Sequence, residues 1–155
     1  MKNRSLILTL FLTLVIGCSR SPKEFAWSDY KGTYVGNNSA VGAILNELPA
    51  HEYLEDFSLK TDQPPYEMTI RYKNFQQTKA EIGKEEARMV SAKTALKGNA
   101  ILLFALIENV EGIHFKLQGQ EEVSFNREEL TKEFGDLESV VQDESSMQQP
   151  FKAIE

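Results

Sequence analysis

The chain of 155 residues holds one thiol, at Cys18, and two imidazoles, at His51 and His114. A single thiol excludes a disulfide framework and any multi-thiolate metal site. Two histidines leave little for a zinc centre, and no Ser, Asp or Glu stands at a spacing that singles out a triad. His51 follows a turn at Pro49 and His114 falls on the polar side of an alternating strand, so both read as solvated. Acid pairs at Glu121-Glu122, Glu128-Glu129 and Asp143-Glu144 could bind calcium or work as an acid and its base. A calcium loop needs alternating oxygen ligands and a turn glycine, which these stretches lack, so they read as a solvated acidic face. Two stretches remain as contact candidates. Gly36-Asn37-Asn38-Ser39 opens a helix whose free N–H groups could hold a carboxylate or phosphate, although N-capping alone accounts for it. Trp27, Tyr30 and Tyr34 offer stacking faces with polar tips to a sugar or peptide, or else pack over a sheet edge. Tyr30, Tyr34, Asn37, Asn38 and Ser39 are therefore the candidate ligand or partner contacts. No catalytic residue, metal site or cofactor motif is expected.

The thiol has its own context. Lys2 and Arg4 precede Leu6–Gly17, an uncharged apolar stretch, which is the layout of a secretory signal peptide. A helix crossing the hydrocarbon needs about 20 apolar residues, so this run is too short to span. Val15-Ile16-Gly17-Cys18 resembles the lipobox of bacterial lipoproteins, with a small residue before the cysteine whose thiol accepts a diacylglyceryl group. Cleavage after Gly17 would take Lys2 and Arg4 from the 17 basic side chains and leave 15 against 23 acids. Such a body is repelled by anionic headgroups, so lipid rather than a basic face must hold it to a membrane. The same acidic balance argues against nucleic acid as a partner. The organisation expected is a signal peptide over 1–17, a lipidated cysteine and tether over 18–29, one domain over 30–141 and a flexible polar tail over 142–155.

Elements follow from periodicity and punctuation. Val41, Ile44, Leu45 and Leu48 line one helix face, with Asn37 or Asn38 as N-cap and Pro49 as stop. Residues 54–60 and 67–73 alternate as strands around the prolines at 64 and 65, which predicts an antiparallel hairpin. A second helix is expected to begin near Glu81–Glu85 and to run through Met89, Ala92, Leu96, Ala100, Leu103, Phe104 and Ile107, with Gly98 as a break and Asn109 as a C-terminal cap. Residues 100–107 also suit a central strand, and the weight of Ala and Leu over β-branched residues favours helix. Strands are expected at Ile113–Leu117 and Val123–Phe125, followed by a short helix capped by Asn126 and stopped by Gly135, and an amphipathic turn over 137–141. The expected class is α+β, a small antiparallel sheet of three to four strands with helices packed on one face.

Tyr30-Lys31 with Tyr34–Ser39, the helix to Pro49, Phe57-Ser58-Leu59 with the strand to Tyr72, and Leu103–Asn109 with Ile113-His114-Phe115 together resemble an uncharacterised extracytoplasmic domain of Gram-positive bacterial lipoproteins. The same domain occurs on some membrane metallopeptidases of the β-lactam-sensor type. This chain has no His-Glu-x-x-His, so the peptidase chemistry does not follow. The resemblance implies an outer-face location and a sensory or regulatory association. The expectation is a lipid-anchored module at the extracytoplasmic face of the cell membrane, binding an envelope protein or a small ligand. A carboxylate-based envelope hydrolase and a structural spacer are the alternatives.

Overall fold

The computed structural model describes residues 25–152, so the signal segment and Cys18 lie outside the described residues. After a short 3-10 turn at Trp27–Tyr30 comes α1 (Asn38–Leu45), which buries Val41, Ile44 and Leu45 as its periodicity requires. β1 (Leu54–Lys60) and β2 (Glu67–Tyr72) form the antiparallel hairpin, with Phe57 opposite Ile70 and Leu59 opposite Met68. β3 (Gln77–Ala80) and β4 (Arg88–Ser91) make a second, two-stranded sheet, and α2 (Ala92–Leu106) follows at once. β5 (Gly112–Leu117), β6 (Val123–Asn126), α3 (Arg127–Phe134), a turn at Leu137–Val141, α4 (Glu144–Met147) and a turn at Gln149–Phe151 complete the chain.

The class is α+β, and the main sheet is mixed rather than antiparallel throughout. Its order is β1-β2-β5-β6, and β2 pairs with β5 in parallel, Ile70 beside Phe115. The reason is the connection. A hairpin reverses direction, whereas the long path through β3, β4 and α2 crosses over and returns the chain in the sense of β2. One face carries the buried Met68, Ile70, Tyr72, Ile113, Phe115 and Leu117. The other carries Glu67, Thr69, Arg71, His114 and Lys116, so only one face meets the apolar cluster. α2 is buried on nearly all sides, between the β3–β4 hairpin and the turns at 137–141 and 149–151, which explains why its sequence is apolar all round.

Five further expectations are corrected. The helix placed from Glu81 begins only at Ala92, where the Ser91 hydroxyl accepts from the Thr94 N–H at 3.2 Å. The residues before it form the β3–β4 hairpin, whose turn contains Gly83 at φ 58°. Met89, assigned to the helical stripe, is 64% exposed, and Val90 is the buried neighbour. Gly98 does not break α2. A Cβ there would stand 2.3 Å from the Phe151 ring, so the glycine gives that ring its seat. Asn109 does not cap α2 either. Ile107 occupies that position, and Asn109 accepts the Val35 N–H at 2.8 Å, tying the loop before α1 to the end of α2. Last, within the tail expected over 142–155, the described residues 142–152 fold onto the body, with Met147 and Phe151 both buried. Phe151 seats against α2 at Gly98, and α4, which carries Met147, packs against the turns at 137–141 and 149–151.

Candidate functional site

The five contact residues read from the sequence do not converge. Tyr30 stacks on Phe25, ring centres 4.6 Å apart, and Phe25 meets Trp27 edge-on at 4.8 Å. Tyr34 instead projects into solvent, 57% exposed. Asn37 is the N-cap of α1, its side-chain oxygen accepting from the Ala40 N–H at 3.1 Å. Asn38 and Ser39 are the first, exposed residues of that helix. The aromatic patch thus splits, with Trp27 and Tyr30 drawn to Phe25 and Tyr34 left beside the cap.

Phe25 and Trp27 form part of the wall of a cleft of about 480 Å³, and a second cleft of about 340 Å³ lies on the other side of the same two residues and Glu144. The first cleft is closed by the end of α1 with the Pro49–Glu52 turn, by β3 with its loop, and by α4. Its charged lining is four glutamates, at 47, 52, 81 and 144, against Lys79, and the imidazole of His51 stands beside them. Each element has a local reason to be there. Glu52 accepts from the Thr78 hydroxyl at 2.8 Å, which joins the turn after α1 to β3. Lys79 is ion-paired with Glu81 along the strand. Glu144 accepts from the Lys84 N–H at 3.0 Å, and its carboxylate occupies the space where Gly83 would carry a Cβ. The loop therefore closes around an acid that the sequence suggested was merely solvated. A cleft with aromatic and carboxylate walls suits a ligand that donates hydrogen bonds or carries positive charge.

A second polar cluster lies on the open face of the main sheet. Strand register places Thr69, His114 and Ser124 in one row. His114 Nδ1 stands 2.8 Å from Ser124 Oγ and 3.2 Å from a Glu122 oxygen, and its Nε2 is 4.0 Å from Glu67. Lys116 reaches Glu122 at 3.1 Å. That hydrogen bond, with help from Ser124 and His114, holds the Glu122 carboxyl below its ordinary range. His114 is thus engaged, where sequence spacing suggested solvation. Its partners come from β2, β6 and the loop just before β6, and only the strand register brings them together. Among the described residues no group of three or more His, Cys, Asp or Glu is placed to hold a metal ion.

Arg127 was not singled out by sequence reasoning. Its guanidinium donates from Nε to the Val110 carbonyl at 2.7 Å and from Nη2 to that of Ile107, and it lies 5.1 Å above the Phe104 ring. Burial lowers its pKa against the upward pull of Glu138, Glu111 and Glu108. It fastens the loop after α2 to the start of α3. An arginine at the first position of a capped helix gave no sequence signal for that role.

Residues 28–129 match the model of one family, described as a domain of unknown function (DUF4825). No curated protein and no solved structure matches the chain. The matched span contains both sheets, α1 and α2, but not Phe25, Trp27 or Glu144. The cleft is therefore walled partly by the family domain and partly by the chain's flanks.

Proposed function

We propose, from the premise that this chain belongs to the DUF4825 family of domains of unknown function, that it is a lipoprotein of the extracytoplasmic membrane face whose domain binds an envelope partner or a small ligand. One observation carries the binding part of this reading: the cleft of about 480 Å³ takes part of its wall from Phe25 and Trp27, which stand only a few residues after Cys18 in the sequence. If Cys18 carries the lipid, the seven steps from it to Phe25 reach at most about 25 Å. The cleft would then face its ligand within a few nanometres of the bilayer, the position expected of a module that works in envelope sensing or regulation. The resemblance to outer domains of Gram-positive lipoproteins supports the same placement. Among the described residues no helix is long and apolar enough to cross a membrane.

The anchor is tested by labelling growing cells with radioactive palmitate. The wild-type chain should take up label and fractionate with membranes, and Cys18→Ala should do neither; equal labelling of the two would end the lipoprotein reading. For the cleft, Trp27 is a built-in reporter, being the single tryptophan of the chain. A short oligolysine peptide should shift its fluorescence saturably and an oligoglutamate peptide should not.

A further inference from the structure

We propose that β1 is the two-fold seam of a homodimer, in which two copies pair antiparallel through this strand to make one continuous eight-stranded sheet. β1 is an edge of the main sheet. Among the described residues, the backbone groups of residues 55–60 bond to nothing beyond β2, so one side of the strand is an unused ladder. It is also the longest strand, Leu54–Lys60, and Phe57 and Leu59 remain only half-buried along it. A long edge with half-covered apolar side chains invites another strand.

The side chains say which strand. Register with β2 puts Asp56, Ser58 and Lys60 on the polar face, beside Arg71, Thr69 and Glu67, and puts Phe57 and Leu59 on the core face. In a two-fold antiparallel pair, residues that face each other must share a face, so the axis must pass through a residue position. An axis at Ser58 sets Asp56 opposite the partner copy's Lys60, Phe57 opposite its Leu59, and Ser58 opposite itself. An axis at Phe57 would instead set Asp56 opposite Ser58 and Glu55 opposite Leu59, leaving the charges unmatched. With the axis at Ser58 the pattern continues inward on both sides. Arg71 is already paired with Asp56, and Lys60 with Glu67 at 3.1 Å. The row across the seam then runs arginine, aspartate, lysine, glutamate, with signs alternating throughout. Charged edge residues usually repel stray strands. An acid at one end and a base at the other make this edge complementary to its own reversed copy.

The test uses the full-length chain. Ser58→Cys should give a disulfide-linked dimer under mild oxidation in membranes, while the wild type, with only Cys18, and Thr69→Cys on the interior strand should not. Sedimentation of the full chain in detergent should show a concentration-dependent dimer. Lys60→Glu, which opposes two acids in both rows, should weaken it by about tenfold or more while leaving the circular dichroism spectrum unchanged. A monomer at every concentration, or Ser58→Cys cross-linking no better than Thr69→Cys, would overturn the proposal. So would capture of a different protein at Ser58→Cys, which would assign the edge to another occupant.

Discussion

Tyr72 lies at the end of β2 with its ring stacked towards Phe115 and its hydroxyl in the core, beside the buried side chain of Asn99. Asn99 spends its amide on the Pro49 carbonyl at 2.8 Å, and among the described residues neither its oxygen nor the Tyr72 hydroxyl has a hydrogen-bond partner. Burial pushes the phenol well above its usual range, and the neighbouring Asn99 only partly opposes this. The unfolded phenol ionises near pH 10, and the folded one does not until far higher. Its contribution to stability is therefore complete below about pH 10 and is lost as pH rises beyond that point. Difference absorbance should show one tyrosine silent until the fold opens. Tyr72→Phe should remove that share of the alkaline loss and cost under about 1 kcal/mol at neutral pH, since little hydrogen bonding is forfeited.

At the scale of elements, α2 and the turn at Gln149–Phe151 meet through a glycine. Alanine is a better helix former than glycine by about 1 kcal/mol, so Gly98→Ala on an open helix face would stabilise. Here the added methyl meets the Phe151 ring at 2.3 Å. Gly98→Ala should therefore destabilise by about 1–3 kcal/mol in urea melts. In a Phe151→Ala background the same change should be neutral or stabilising. A sign that does not reverse would mean that Phe151 is not seated on α2.

At the scale of the molecule, the described residues on both flanks of the matched family span, 25–27 and 130–152, pack back on it. Trp27 is 8% exposed, Met147 is 1% and Phe151 is 3%. Stopping the chain after Gln142 would strip the acid from Gly83 and the ring from Gly98, and would expose the side of α2 that these turns cover. Losing two buried apolar side chains of this size should cost about 3–6 kcal/mol. The truncated chain should melt well below the full one, whereas a disordered tail could be removed without effect.

Much of this was legible along the chain. The α1 stripe, the β1–β2 hairpin, β5, β6 and the Asn126 cap all follow from local periods and punctuation, because a strand or helix that buries one face must repeat its apolar residues at 2 or 3.6. The segment from Glu81 to Ser91 reads as helix in sequence because four-residue strands are too short to establish a period against a run of acids that also suits a helix start. The tertiary structure alone decided the rest. The parallel pairing of β2 with β5 depends on a crossover that no window contains. The cleft is assembled from segments that include Phe25, His51, Lys79 and Glu144. The company of His114 is set by strand register, and the roles of Gly98 and Gly83 by what packs against them. Sequence carries the propensity of each element for its own conformation, while sites and seats arise where distant elements touch, and that proximity is a property of the packed chain.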